Sequence, residues 1–209
     1  EPKYPMVSSL QVLFTAFAEA GGADLLEVLT RTLNVMGSRG LFDSAEGGFF
    51  RYCDTASWSR PHTEKMCDEN AGLIGAYLDG WLLTREEAYR DWAVRSLDWV
   101  LRTLCDERSG RIFHGQAGGE GDSPWIDRTQ YTASASKMCS TLLRASAILS
   151  RKELAEVAIR CLEGIVQRGL DPERGVAHYF DPEPQGYGLA RSQVYLMRSL
   201  LDAYEYTGR

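Results

Sequence analysis

The residues best equipped for chemistry crowd into one stretch, "SWSRPHTEKMCDEN", Ser57 to Asn70. His62, Glu64 and Glu69 supply an imidazole and carboxylates, the groups that move protons in general acid–base catalysis. Two reactions on sugars need such groups. Glycoside cleavage takes an acid and a base or nucleophile across a sugar ring, and epimerisation takes proton transfer beside a carbonyl. In that reading His62 is the acid/base or a ligand hydrogen-bonder, and Glu64 or Glu69 is its carboxylate partner. Trp58 is a stacking platform, and Arg60 and Asn70 are further ligand contacts.

The element that positions them is read as a helix over 63–83, with Pro61 in its first turn, where a missing N–H costs nothing. Its buried stripe is Met66, Leu73, Ile74, Tyr77, Leu78 and Trp81. On that wheel His62, Glu69 and Asn70 fall on or beside the stripe, and Glu64, Lys65 and Asp68 lie further round. Leaving a buried polar group without a hydrogen bond costs about 1–3 kcal/mol. The three therefore either form an internal network or line a wet pocket. The structural alternative is that His62 and Asn70 tie down the preceding loop while Glu64 answers the helix macrodipole.

Helical periodicity dominates the rest of the chain. Leu26, Leu29, Leu33 and Met36 form one amphipathic stripe, Tyr89 through Leu104 a second, and Leu154 through Ile165 a third. These have charged opposite faces. Between them lie segments near 9–20, 63–83, 132–149 and 189–207 with more small and apolar residues, which predicts burial on more than one side. The decamers "LFDSAEGGFF" (41–50), "LCDERSGRIF" (104–113) and "LDPERGVAHY" (170–179) recur after successive amphipathic helices. A recurring helical hairpin plus loop is the signature of an array that buries its core between neighbours. The long loops, roughly 38–62, 106–131 and 170–188, fall at one end of such an array. They bring His62, His114 and His178 to that end, with Trp58, Trp125, Tyr179 and Tyr187, and with Asp54, Asp122, Asp127 and Asp181. Long loops gathered on a helical scaffold are where binding residues concentrate. His114, Trp125, Asp127, His178 and Tyr179 thus join the candidate ligand-binding set.

Composition narrows the classes. With 23 Lys and Arg against 29 Asp and Glu the net charge is −6, which argues against nucleic acid as a partner. No run of about 18 apolar residues exists, so no membrane span is expected. The five cysteines show no C-x-x-C and no close pairing with His, which argues against a zinc site or disulfide framework and favours a reducing, cytoplasmic setting. No P-loop, dinucleotide fingerprint, H-E-x-x-H or G-x-S-x-G occurs, and "AGGEGDSP" (117–124) reads as a loop. No cofactor and no metal are expected.

"PKYP" (2–5), "GGFFRYCDTASWSRPHTEKMCDENAGLIGAYLDGW" (47–81) and "LDWVL" (97–101) together resemble the YyaL / spermatogenesis-associated thioredoxin-like protein family. The positions that carry the resemblance are Gly47, Gly48, Phe49, Arg51, Tyr52, Trp58, Pro61, His62, Glu64, Lys65, Met66 and Asn70. The resemblance implies a helical toroid like that of six-hairpin glycosidases and sugar epimerases. This chain departs from the family pattern at Thr63, Cys67, Asp68 and Glu69, and has Arg191 and Ser192 where the family has an acidic pair. It lacks the family's thioredoxin-like domain, so that domain's redox chemistry does not carry over.

The expectation is an all-α chain, one partial domain over 1–209, built as an α/α-toroid-like array of about seven helices forming an incomplete ring. An open array exposes apolar inner-helix surface, which predicts a protein partner or self-association. Two functions follow. One is a non-catalytic or weakly catalytic binding or scaffold subunit. The other is a carbohydrate-active domain, hydrolase-like or epimerase-like, with its site at the histidine-bearing end.

Overall fold

The computed structural model describes residues 1–118 and 124–209. Asp122 and most of the Gly-rich 117–124 loop lie outside the described residues. Seven α-helices stand among them, and the chain divides into two compact units. The first comprises Glu1–Val100 with Gly118 and Pro124, and the second Leu101–Ala117 with Trp125–Arg209.

In the first unit, α1 (Val7–Ala20) and α2 (Ala23–Ser38) form a hairpin, and a short extended segment, β1 (Lys65–Met66), leads into α3 (Cys67–Thr84) and α4 (Glu87–Trp99). The helix α3 packs against α1, α2 and α4 and is buried along most of its length, including Leu73, Ile74, Ala76, Tyr77 and Leu78. Tyr77 makes the core aromatic: its ring stacks on Phe49 at 5.0 Å and meets Trp92 edge-on at 5.4 Å, and its hydroxyl donates to the Leu33 carbonyl. The stripe that ran to Leu104 in sequence is α-helical to Trp99 and continues as a π turn, Val100–Leu104, in which Val100 and Leu104 stay buried.

In the second unit, α5 (Thr132–Leu149) packs against both α6 (Lys152–Gly169) and α7 (Ala190–Thr207). Its small residues Ala133, Ser134, Ala135, Ser136 and Ala145 are buried, which lets neighbouring backbones come close. The loops carry short antiparallel ladders. The strand β2 (Cys105–Asp106) pairs with β3 (Arg111–Ile112), and β4 (Gly115–Ala117) pairs with β5 (Trp125–Asp127). The strand β6 (Gln130–Tyr131) joins a three-stranded sheet with β9 (Tyr179–Asp181) and β10 (Glu183–Gln185). Between them, β7 (Leu170–Asp171) pairs with β8 (Gly175–Val176).

The recurring decamers fold alike. Asp43, Asp106 and Asp171 each accept, through Oδ1, the amide two residues on, at 2.9, 3.1 and 3.0 Å. Each turn then closes on a glycine with positive φ: Gly47 (83°), Gly110 (69°) and Gly175 (80°). A side chain at Gly47 would also collide with the Arg95 carbonyl, 2.4 Å from its Cβ position.

Two expectations change. The helix read over 63–83 begins only at Cys67. Pro61 lies instead in an extended pairing with Cys53, which also pairs with Lys3. Residues 62–66 are therefore not on a helix wheel. The outermost helices also differ from the multi-sided burial expected. In α1 only Leu10 is buried, and in α7 only Ser192, Leu196 and Ser199. The face Val194, Met197, Leu201 and Tyr204 of α7 is exposed.

Candidate functional site

In the first unit the chain doubles back across residues 51–64. The Arg51 amide donates to the Glu64 carbonyl (2.8 Å), the His62 amide to the Tyr52 carbonyl (2.9 Å), and the Asp54 amide to the Arg60 carbonyl (3.0 Å). That pairing sets His62 beside Glu64, with Nδ1 3.5 Å from Oε2. The same carboxylate oxygen takes a 2.9 Å hydrogen bond from Arg51 Nη1, and Arg51 Nε lies 3.9 Å from Glu69 Oε1. The hydrogen bond to Glu64 raises the Arg51 pKa against the opposing effect of burial. The His62 ring stacks on Tyr52 at 4.6 Å, and Tyr4 covers Tyr52 at 5.0 Å. His62, Glu64 and Glu69 therefore gather about one arginine, each partly exposed. Of the two carboxylates, Glu64 is the one beside the imidazole, because residues 62–66 precede the helix and do not lie on its wheel.

Three other sequence candidates in this unit sit elsewhere. Asn70 is fully buried, its Oδ1 accepting the Phe49 amide (2.7 Å) and its Nδ2 donating to the carbonyls of Phe49 (2.9 Å) and Met66 (3.0 Å). It clamps the loop to α3, which corrects its assignment as a ligand contact. Trp58 is 3% exposed, with Lys3 Nζ 4.8 Å over its ring and its carbonyl taken by the Gly40 amide. It plugs the loop and offers no open face for a sugar, which corrects its role as a platform. Arg60 is exposed, with φ 55°.

Sequence reasoning missed the strongest electrostatic feature of this unit. Lys65 is fully buried. Its Nζ donates to Asp43 Oδ2 (2.7 Å) and to the Gly47 carbonyl (2.8 Å), between the rings of Phe50 and Trp99 at 5.1 and 5.0 Å. Burial pushes the Asp43 carboxyl up, but the Lys65 hydrogen bond and charge, with the Ala45 and Glu46 amides, outweigh it and hold the pKa below its ordinary value.

In the second unit the two histidines meet. His114 precedes β4, its amide donating to the Asp127 carbonyl at 3.2 Å; His178 precedes β9, its amide donating to the Gln185 carbonyl at 2.8 Å. Tyr131, at the end of β6, lies between them, with ring centroids 4.6 Å from His114 and 5.3 Å from His178. Tyr179 closes the group, 5.7 Å from Tyr131 and 5.9 Å from His178. The His178 Nδ1 shares a hydrogen bond with Ser192 Oγ (3.1 Å), and the Tyr179 hydroxyl donates to Gln185 Oε1 (3.0 Å). The His114 Nδ1 is buried and has no hydrogen-bond partner among the described residues. Asp127 Oδ1 is taken by the Thr129 amide (3.0 Å), while Trp125, 58% exposed, opens β5 to solvent. Sequence reading named His114, His178 and Tyr179 as site residues, but Ser192 only as a departure from the resembled family's pattern, and not Tyr131, whose only signal is adjacency to a helix start. Among the described residues no three of His, Cys, Asp and Glu come together so as to hold a metal ion, and no helix is long and apolar enough to cross a membrane.

No protein-family model matches the chain. Over 127 residues, 59% of its length, it is 32% identical to spermatogenesis-associated protein 20 of Homo sapiens, and equally so to that of Mus musculus. Over 90 residues it is 32% identical to an uncharacterized protein, B0495.5, of Caenorhabditis elegans. The chain spans 16% of the length of the human relative. The matched length, 127 residues, exceeds that of the stretch 47–81 on which the resemblance chiefly rests. Solved structures similar in fold include the cellobiose 2-epimerase of Spirochaeta thermophila (TM-score 0.78, 17% identity) and a D-mannose isomerase (0.78, 15%). A family 76 glycoside hydrolase, a mannosidase of Bacteroides thetaiotaomicron, is also similar (0.73, 14%). The similarity covers 98–100% of this chain but 53–56% of those chains. The fold is an α/α-toroid-like array of helical hairpins.

Proposed function

We propose that this chain is the binding and scaffold part of a carbohydrate-handling α/α toroid, and that it holds a saccharide at the His114–Tyr131–His178–Tyr179 cluster. The observation that carries the reading is the buried His114 Nδ1, without a hydrogen-bond partner among the described residues, beside two tyrosine-lined ring faces. A buried polar atom of this kind is satisfied by a ligand hydroxyl, and aromatic faces pack on the apolar face of a sugar ring. Similar folds named for acting on cellobiose and mannose support the ligand class. Exposed Trp125 adds a further stacking surface. The apolar face of α7 at Val194, Met197, Leu201 and Tyr204 supports the scaffold part of the reading, since such a patch is of the kind that meets a protein. Titration calorimetry with cellobiose, mannose and mannobiose tests the proposal. Saturable binding of at least one sugar, weakened about tenfold or more by His114→Ala and by His178→Ala, is expected, since each removes a ligand hydrogen bond worth about 1–1.5 kcal/mol. Absence of binding to all three, or binding indifferent to both substitutions, overturns it.

The second reading, catalysis, has one specific observation in its favour: the 3.5 Å approach of His62 Nδ1 to Glu64 Oε2 on a partly exposed loop. An imidazole beside a carboxylate can accept and return a proton. Epimerisation of cellobiose or mannose that disappears in both His62→Ala and Glu64→Gln, with the fold retained, would favour it over binding alone.

A further inference from the structure

The imidazole of His178 is held from several sides. The His178 amide donates to the Gln185 carbonyl (2.8 Å), and the His178 carbonyl accepts the Thr132 amide (2.9 Å). The Thr132 hydroxyl donates to the neighbouring Ala177 carbonyl (2.6 Å). Tyr131 and Tyr179 meet the imidazole edge-on, at 65° and 87°. Gly186, with φ 68°, passes so close that a Cβ there would lie 3.0 Å from the His178 Cβ. Backbone pairing and packing set where the ring stands, and the Ser192 hydrogen bond fixes which edge faces α7. None of these contacts alone says which of the two ring nitrogens carries the proton.

The surroundings of Ser192 decide it. Ser192 lies in the first turn of α7 and is fully buried. Its Oγ stands 3.1 Å from His178 Nδ1 and has no other side-chain hydrogen bond among the described residues. A hydroxyl has one proton to give and two lone pairs to receive. If Nδ1–H donated to Oγ, the serine proton would be buried with no acceptor, an arrangement that folded proteins avoid. If the serine donates, its proton is satisfied and only lone pairs are left over, which is the lesser cost. The favoured arrangement is therefore O–H···Nδ1, and a neutral imidazole that accepts at Nδ1 carries its proton on Nε2. The ring is partly exposed, and Nε2 makes no hydrogen bond to a described residue. The His114 Nδ1 has no such neighbour, so of the two imidazoles in this unit only that of His178 is set in advance.

We propose that Ser192 is a positioning residue that fixes His178 in its Nε2–H form, so that the loop cluster presents a ligand with a hydrogen-bond donor at this point. The ligand brings an oxygen lone pair to Nε2, as a sugar hydroxyl, ring oxygen or glycosidic oxygen does. A ring already in the donor form spends no binding energy on moving its proton. The donor role toward a sugar rests on the saccharide reading above, whereas the position of the proton does not.

The test uses the intact chain, whose three histidines give few enough ring signals to assign with a His178→Gln variant. Long-range proton–nitrogen correlation spectra at about pH 8, where an ordinary imidazole is neutral, report which nitrogen of each ring is protonated. In the wild type His178 is expected with its proton on Nε2 and a bare Nδ1. Ser192→Ala removes the donor, and the Nδ1–H form is expected to appear beside the first. Ser192→Thr keeps a hydroxyl and is expected to restore the single form, which a merely structural role for the side chain does not require. Circular dichroism shows whether each variant is folded, and if Ser192→Ala is not, the wild-type and Ser192→Thr spectra decide. A wild-type ring protonated at Nδ1, or evenly mixed, overturns the proposal, as does a folded Ser192→Ala with the wild-type spectrum. Calorimetry with cellobiose, mannose and mannobiose then reads the donor role. Ser192→Ala should weaken binding by the factor by which the Nε2–H fraction falls, about twofold for an evenly mixed ring, and Ser192→Thr should restore it. Undiminished affinity in Ser192→Ala alongside a mixed ring overturns the donor role. Absence of binding to all three sugars in the wild type overturns the saccharide reading and the donor role with it, while the spectra still decide where the proton lies.

Discussion

Replacing Asp43 by Asn isolates the buried charge pair of the first unit. The amide keeps an acceptor for the Ala45 and Glu46 amides but removes the charge that faces Lys65 at 2.7 Å. Lys65 is fully buried between aromatic rings, so the substitution takes a carboxylate away from a buried ammonium, which keeps its hydrogen bond to the Gly47 carbonyl. Removing one partner of a buried pair costs about 3–5 kcal/mol. Asp43 keeps 15% of its side chain exposed, which lets some water reach the site and puts the expected loss near the lower end, about 3 kcal/mol. Lys65→Met should cost less, about 1–2 kcal/mol, because the Asp43 carboxylate still has its two turn amides. The double variant should then be less destabilised than the sum of the two, with a coupling of about 2 kcal/mol. Urea unfolding followed by circular dichroism at pH 7 measures all three. The pH dependence has a definite sign. The folded carboxyl lies below its ordinary value of 3.8, so its contribution is fully present above that value and is lost as the pH falls through the lower, folded one. Wild type should therefore lose stability below about pH 4 more steeply than the double variant. A loss under about 1 kcal/mol for Asp43→Asn, or strict additivity in the cycle, would refute the reasoning.

Three further outcomes follow from the same loops. Gly47→Ala should cost at least about 2 kcal/mol in urea unfolding, since a Cβ must adopt φ 83° and meet the Arg95 carbonyl. Asn70→Ala strands the buried amide and carbonyl of Phe49 and should cost about 2–5 kcal/mol, whereas an exposed substitution on α3 such as Leu82→Ala should cost little by the same measurement. The Asp171 carboxyl, held to about 2 by the Arg174 hydrogen bond and the Arg174 and Glu173 amides, should titrate at a higher value in Arg174→Ala when followed by carboxyl-carbon NMR.

Much of the scaffold was legible because period and spacing encode it. The span 132–149 is recovered at both ends, and the decamers at 41, 104 and 170 fold into the same Asp-to-Gly turn. The start of α3 was not legible. Pro61 satisfies the local rule for a first helical turn, but Cys53 pairs with it across the loop, and a long-range pairing overrides a local preference. That shift explains the rest of the revision. On a wheel, Lys65 turned away from the core and Glu64 away from His62; in an extended strand Lys65 enters the core and Glu64 meets the imidazole. The partner of Lys65 lies 22 residues back, outside the reach of any local pattern. Tyr131 was hidden for a different reason: a single aromatic before a helix is common, and only the return of the chain through β9 gives it two histidines as neighbours.

The balance between binding and catalysis turns on what each imidazole faces. In the first unit His62 faces a carboxylate, but the same carboxylate oxygen already takes a 2.9 Å hydrogen bond from Arg51. In the second unit His178 faces the Ser192 hydroxyl. A hydroxyl there fixes the orientation of the ring by one hydrogen bond. Under the proposed binding reading, each pairing serves to position its ring. The three turns show the same separation of framework from variable chemistry. Every Asp Oδ1 performs the same task at the turn, while Oδ2 meets Lys65 in the first, Ser109 in the second and Arg174 in the third. A framework that tolerates a buried ammonium, a hydroxyl and an exposed guanidinium at one repeated position is free to change its loops without changing its fold.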